Sequence, residues 1–170
     1  DYSSNAVVFN YPPLIYWFFG LFTFIFGSIV GLLKLPYLIF DILSGLLLYK
    51  LVDSRKALAI LALWMFNPIS LYSTYMMGQF YIIPTFFTVV SLHLAAKEKL
   101  KLSALALGFG IAFKLYPVFL IIPLVLLAQG IGIRIKLVTL SLLPYILSIL
   151  PYLPLGNFRQ TALFANQSSK

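Results

Sequence analysis

Long apolar runs occupy most of this chain, and nearly all of its charged residues lie outside them. The runs lie at about 12–33, 35–52, 57–76, 80–96, 102–113, 115–129 and 137–155. Only 9% of the residues are charged and 62% are hydrophobic, whereas a soluble domain carries about 25% charged residues. At roughly 20 apolar residues per crossing, the chain holds about five to seven membrane segments and no sizeable soluble domain.

The type of membrane structure follows from the same runs. Only helices or closed barrels satisfy all backbone groups in lipid, and these runs lack the strict alternation of barrel strands. We therefore predict an all-α, polytopic integral membrane helical bundle. No cysteine is present and His93 is the single histidine, so we expect no metal site and no cofactor.

Basic residues indicate which segments face the cytoplasm. Eight of the twelve lie in three clusters at or between the ends of these runs: Lys50, Arg55, Lys56, Lys97, Lys99, Lys101, Arg134 and Lys136. By the positive-inside rule these three clusters are expected inside. The net charge of +8 is then a sign of topology, and we expect no nucleic-acid partner.

Two crossings must separate Lys101 from Arg134 if both lie inside. About 31 apolar residues are present between them, short of the roughly 40 that two full crossings need. We therefore expect a short or broken helix pair with its tip at "FKLYP". This position places Lys114 near the outer interface, where an ammonium group needs a cavity, an anion or lipid headgroups.

The first run leaves two arrangements open. Residues 12–33 either cross the membrane or lie in the outer interface as an in-plane helix, since their many Tyr, Trp and Phe side chains suit both positions. The preceding "DYSSNAVVFN" lacks the basic region and cleavage site of a signal peptide. It is typical of the interior of a longer chain, and we interpret the 170 residues as a fragment.

Four blocks carry a resemblance to a known family: "NYPPLIYW", "LIFDILSGLLLYKL", "WMFNPISLYSTYMMGQF" and "LALGFGIAFKLYPVFLIIPL". Their order and spacing resemble the GT-C superfamily of polyprenyl-phosphate-sugar-dependent glycosyltransferases, above all the PIG-M-like GPI mannosyltransferases and their prokaryotic relatives. The resemblance implies that residues 12–33 form an interfacial helix on the outer face. We then expect residues 1–11 to be the end of an outer loop, residues 35–155 to form a bundle of about six transmembrane helices, and residues 156–170 to form a second outer loop.

The resemblance also implies an activity and its partners. The expected reaction is inverting transfer of a sugar, such as mannose, from a polyprenyl- or dolichyl-phosphate donor to a lipid-linked, glycan or protein acceptor on the outer or lumenal face. The expected partners are that donor, membrane lipid and an accessory membrane subunit. We expect a multi-pass protein of a prokaryotic plasma membrane rather than of the endoplasmic reticulum.

Inversion needs a carboxylate base and groups that stabilise the departing phosphate. The family places its acid upstream of the Tyr-Pro-Pro block, where Asp1 is the one carboxylate this chain shows; the main acid is expected upstream and absent. For donor or substrate binding we select Lys114, Tyr116, Gln79, Tyr11 and Arg159. Lys114 could instead extend toward headgroups, and Gln79 could simply cap the turn made by Gly78.

Two further residues, Asp41 and Asn67, are expected to have structural roles. Asp41 lies within a membrane run, and we favour a hydrogen-bonding role, with Ser44, Tyr37, Tyr49 or a basic group as partner, over a catalytic one. Asn67, followed by Pro68, is expected to kink its helix. Many relatives carry an acid after Gly-Gln-Phe, where this chain has Tyr81.

Two other functional classes stay open beside the glycosyltransferase. A transporter or flippase would also use broken helices and an intramembrane acid. A non-catalytic membrane assembly subunit would use its aromatic packing surfaces alone.

Overall fold

The computed structural model describes residues 11–27, 32, 34–52 and 54–156. Within these ranges the regular structure is helical throughout, which confirms the predicted all-α class. The helices are α1 (Pro13–Phe26), α2 (Leu35–Leu51), α3 (Ser54–Met65), α4 (Pro68–Leu71), α5 (Ile82–Ala96), α6 (Leu100–Phe113), α7 (Ile121–Leu126) and α8 (Ile131–Ile149). A π-helix covers Tyr72–Met76, and 3-10 helices cover Tyr116–Leu120 and Leu150–Tyr152.

Prolines set several helix starts. Pro13, Pro36 and Pro68 each stand in the first turn of a helix, where the missing N–H would have no helical partner and the fixed φ suits the helix. Pro68 also separates α3 from α4, so the expected kink is a full interruption of the helix. Pro144 is tolerated inside α8.

The long helices pack in the order α3, α2, α5, α6, α8. Helices α2 and α5 run in the same direction. Near their starts the ring centroids of Phe40 and Phe86 lie 4.9 Å apart, and near their ends Lys50 and Lys97 lie close to His93. The other long helices start at the end where α2 and α5 finish. We call this end, with its lysine-rich turns, the basic end, and the opposite one the cluster end.

Helix α1 lies against the cluster end. Phe18 contacts Phe40 in α2 and Phe113 at the end of α6, at ring-centroid distances of 6.1 and 5.5 Å. Phe19 contacts Tyr37 and Phe80 at 5.9 and 6.4 Å. A helix of 14 residues is about 21 Å long, short of the roughly 30 Å of a bilayer core. The in-plane placement of 12–33 stays a prediction, and residues 28–31 and 33 lie outside the described ones.

Close contacts join α6 to both of its neighbours. The hydroxyls of Ser91 and Ser103 lie 2.9 Å apart and are buried between α5 and α6. Gly108 of α6 lies so near α8 that a Cβ there would stand 2.7 Å from the carbonyl oxygen of Ser141. These contacts fix the α5–α6–α8 layer from its middle to the basic end.

Two helical segments are long and apolar enough to cross a membrane, Arg55–Met76 and Ile131–Tyr152. Four apolar helices are shorter: Pro13–Phe26, Ile82–Ala96, Leu100–Phe113 and Tyr116–Leu126. The pair on either side of Lys114 is thus short and broken at the expected tip. The count of about six transmembrane helices stays a prediction.

Candidate functional site

A lysine and three aromatic rings meet at the cluster end of the bundle. The ammonium nitrogen of Lys114 lies 3.5 Å from the ring centroid of Tyr81, 5.2 Å from that of Tyr11 and 5.4 Å from that of Phe80. Tyr11 in turn meets Phe80 edge to face at 4.9 Å. We call Lys114, Tyr11, Phe80 and Tyr81 the lysine–aromatic cluster.

Helix ends position this cluster. Lys114 follows the last residue of α6 and adopts an extended backbone, with φ of −158° and ψ of 140°, which turns the chain out of the helix. Tyr81 immediately precedes α5, and buried Phe80 anchors the turn before it. Because α5 and α6 are antiparallel neighbours, the start of one meets the end of the other.

The positive charge of Lys114 has no acidic partner in the described part of the chain. The acidic side chains described there belong to Asp41, which is hydrogen bonded elsewhere, and to Glu98, which lies at the basic end. Ring faces attract a cation through their quadrupole but carry no net charge. The half-buried ammonium therefore keeps a full positive charge that an anion can neutralise.

A pair of hydroxyls lies beside the cluster. The Thr85 hydroxyl donates to the carbonyl oxygen of Tyr81 at 2.7 Å, and its oxygen lies 2.7 Å from the Tyr116 hydroxyl. Since Thr85 has a single hydroxyl hydrogen, Tyr116 is the donor of the second bond. The Tyr116 oxygen is then left as an acceptor on a side chain that is 41% exposed, suited to a ligand hydroxyl.

Gln79 lies in the turn that leads into the cluster. Gly78 before it has φ of +67°, a conformation that glycine adopts without strain. The backbone N–H of Gln79 donates to Ser73 O at 2.9 Å, and the Tyr37 hydroxyl donates to Gly78 O at 3.4 Å. The backbone of this turn is thus anchored, and the half-buried Gln79 side chain stays a predicted ligand.

Asp41 is almost fully buried, at 4% exposure, and joins three segments. One carboxylate oxygen accepts from Trp64 Nε1 and the other from the Tyr75 hydroxyl, both at 2.9 Å. The partners predicted within its own helix were wrong, because Ser44 donates to Phe40 O and the Tyr37 hydroxyl points to the turn. Lys34 reaches the same region and donates to Tyr75 O at 2.9 Å.

Asn67 caps the helix that follows it. Its side-chain oxygen accepts from the backbone N–H groups of Ile69 and Ser70, at 3.0 and 3.3 Å, the usual geometry of an N-cap. It stands apart from the cluster, on an exposed face of the bundle. The predicted residues Asp1 and Arg159 lie outside the described residues.

Sequence reasoning brought Lys114, Tyr11 and Tyr116 to one region but missed three contacts. It noted Tyr81 only for the acid it replaces, although this ring is the nearest neighbour of the Lys114 ammonium. It did not select Thr85 or Trp64. For Tyr81 the local signal was its position two residues after the selected Gln79. The contacts of Thr85 and Trp64 arise only from the packing of helices, so no local pattern indicates them.

Comparison with known proteins gives a family and two distant relatives. Residues 2–155 match the family described as PIG-U: GPI transamidase subunit PIG-U. GPI mannosyltransferase 1 of Kluyveromyces lactis is 26% identical over 95 residues, which cover 54% of this chain and 23% of that protein. GPI mannosyltransferase 1 of Saccharomyces cerevisiae is 26% identical over 126 residues, covering 68% of this chain and 29% of that protein. No solved structure matches the chain.

These matches refine the resemblance found in the sequence. The chain is similar to glycosyltransferase-like membrane proteins and spans about a quarter of the length of these two relatives. Both relatives come from yeasts, so the expectation of a prokaryotic plasma membrane is not supported. An integral membrane location is supported. Because the family match runs from residue 2 to residue 155, the chain belongs to the PIG-U family.

Proposed function

We propose that this chain is part of a non-catalytic membrane subunit of a GPI transamidase that binds the phosphate and neighbouring sugar of a membrane glycolipid. The observation that carries the proposal is the uncompensated ammonium of Lys114, held 3.5 Å above the Tyr81 ring. The family description names a subunit of a GPI transamidase. The two relatives act, by name, in building the same class of glycolipid.

Phosphate recognition rests on the charge and environment of Lys114. A lysine ammonium binds phosphate as a compact point charge. The ring faces of Tyr81, Tyr11 and Phe80 exclude water from one side of it, and an ion pair gains strength where water is excluded. The same rings leave its charge unneutralised, in contrast to the carboxylate that many relatives of the GT-C type carry at the position of Tyr81.

Recognition of a sugar rests on the polar groups around the lysine. The Tyr116 oxygen can accept a hydrogen bond, and the Gln79 amide can both donate and accept. Exposed tyrosine rings offer apolar faces beside these polar atoms, a combination that is common at binding surfaces. The arrangement fits a ligand in which a phosphate is joined to a sugar.

The same arrangement supports binding better than catalysis. Transfer of a sugar with inversion requires a free carboxylate as base, and both carboxylate oxygens of Asp41 are occupied by donors. Sugar transfer is the second candidate, favoured by the matches to the two mannosyltransferases. It requires a carboxylate from outside the described residues; Asp1 is one candidate for it.

The test is binding of a glycolipid by the complete protein in nanodiscs. Two probes, a phosphatidylinositol glycan and a short-chain dolichyl-phosphate mannose, would be titrated against wild type, Lys114→Met and Lys114→Arg. A hydrogen bond to a charged group contributes about 1.5–3 kcal/mol, so Lys114→Met should weaken binding by about ten- to a hundredfold. Lys114→Arg retains the charge and should retain most of the affinity.

Two substitutions of Tyr81 test whether the Lys114 charge must stay free of a carboxylate partner. Tyr81→Asp places a carboxylate beside Lys114 and should also weaken binding, whereas Tyr81→Phe retains the ring and should not. Equal affinity of wild type and Lys114→Met for both probes would refute the phosphate site. Turnover of dolichyl-phosphate mannose by the complete protein would instead favour the mannosyltransferase.

A further inference from the structure

The helical segment Arg55–Met76 is interrupted near its middle, on a face that the bundle leaves uncovered. Asn67 lies 12 residues beyond Arg55, which is about 18 Å along a helix and close to mid-membrane for a crossing segment. Phe66 beside it is 78% exposed and Leu63 is 73% exposed. Among the described helices, α3 packs chiefly against α2, on its other side.

The interruption leaves backbone carbonyl groups without their usual helical donors. Ile69 and Ser70 would normally donate to the carbonyls of Met65 and Phe66, but both N–H groups bond to the Asn67 side chain instead. The Asn67 N–H donates to Trp64 O rather than to Leu63 O. The carbonyls of Leu63, Met65 and Phe66, all within about one turn, have therefore lost their helical donors.

Such a surface is not stable against lipid. Irregular backbone within the hydrocarbon core is tolerated only where protein or a water-filled cavity covers it, because each unpaired polar group costs several kcal/mol. An acyl or polyprenyl chain brings no hydrogen-bond donor. The cover must therefore carry donors of its own at mid-membrane depth.

The shape of the surface favours a helix as the cover. A groove beside the interruption is lined by Ala59, Ala62, Leu63, Phe66, Asn67 and Pro68. Small residues such as Ala59 and Ala62 allow a second helix to approach closely in a membrane, and polar side chains then bond across the interface. The exposed Leu63 and Phe66 side chains supply the apolar contact.

We propose that this groove is the docking site for a transmembrane helix of another subunit, which presents a Ser, Thr, Asn, Gln or Trp side chain to the free carbonyls of Leu63, Met65 and Phe66. The inference rests on the proposed membership of a multi-subunit assembly, but it uses a different face from the lysine–aromatic cluster. The family description, a subunit of a GPI transamidase, favours a partner chain as the source of that helix. Loss of this contact would leave glycolipid binding by the separate protein unchanged.

Site-specific photocrosslinking in the native membrane tests the proposal. The photoreactive residue p-benzoyl-phenylalanine would replace Phe66 in the complete protein, with Phe119, which is 74% exposed on another face, as the matched position. We expect the Phe66 probe, and not the Phe119 probe, to give an adduct that maps to a polar-bearing transmembrane helix of a GPI transamidase subunit. Adducts within the same chain, adducts with lipid alone, or none would overturn it.

A packing variant gives an independent result. Ala62→Leu fills the groove from an exposed position, so it should lower recovery of the partner subunit at least fivefold while the thermal stability of the separated protein stays at the wild-type value. Ala96→Leu makes the same change at the exposed basic end and should leave recovery unchanged. Full recovery with Ala62→Leu would contradict the proposed interface, whatever the result for Lys114.

Discussion

Replacing Asp41 by alanine removes an acceptor that ties α2 to α3 and to the π-helix at Tyr72–Met76. Each of the two bonds to its carboxylate is 2.9 Å long, and a hydrogen bond to a charged group contributes about 1.5–3 kcal/mol. The Trp64 indole keeps a second acceptor, the Asp41 carbonyl oxygen at 3.1 Å. The Tyr75 hydroxyl loses its acceptor.

The two effects of the substitution partly offset each other. Removing a buried charge relieves its desolvation cost, while the Tyr75 hydroxyl is left unsatisfied. We expect Asp41→Ala to lower the free energy of unfolding by about 2–4 kcal/mol. Asp41→Asn should lower it by about 1 kcal/mol, since the amide oxygen can accept from Trp64 and its NH₂ can donate to the Tyr75 oxygen.

The assay is denaturant unfolding of the complete protein in detergent micelles, followed by tryptophan fluorescence. A double-mutant cycle with Tyr75→Phe isolates the pair, and we expect a coupling energy of about 1 kcal/mol or more. Wild-type stability for Asp41→Ala, or additive effects of the two substitutions, would refute this structural role. Loss of activity at unchanged stability would instead indicate a catalytic carboxylate.

Two further predictions concern the packing of α6. Gly108→Ala should lower the free energy of unfolding by about 1–3 kcal/mol by overpacking, because its Cβ would lie 2.7 Å from Ser141 O. Gly132→Ala is the control: a Cβ there would have no neighbour within 4 Å, so this substitution should be neutral or slightly stabilising. Ser103→Ala should lower it by about 1 kcal/mol, since Ser103 donates to Ser91 O at 2.8 Å within the buried interface. Unfolding of all three variants checks both, and a Gly108→Ala protein as stable as Gly132→Ala would contradict the close approach of α6 and α8.

The position of Lys114 followed from the sequence, but its surroundings did not. Charge and length together required a short helix pair with "FKLYP" at its tip, and both are properties of residue order. The ring that contacts the ammonium belongs to Tyr81, which is distant along the chain. That contact depends on the axial register between α5 and α6, which no local sequence pattern specifies.

Asp41 shows the same division. A carboxylate within an apolar run predicts a hydrogen-bonded buried group, but the partners named for it were neighbours in the same helix or an unspecified basic group from another helix. The observed partners, Trp64 and Tyr75, lie 23 and 34 residues away. The π-helix that presents Tyr75 carries no sequence signature, and Pro68 signalled only that a helix would break.

The antiparallel pair of α5 and α6 has a consequence for the energetics of binding. Ser91 and Ser103 join the two helices toward the basic end, and Gly110 allows close contact with Pro84 near the cluster end, where a Cβ would stand 3.2 Å from Pro84 O. Tyr81 precedes the first helix of this hairpin and Lys114 follows the second, so both extend from its cluster end. The Lys114 ammonium and the Tyr81 ring are thus held in place before a ligand binds. Binding therefore costs little side-chain conformational entropy in these two residues, and more of the interaction energy appears as affinity.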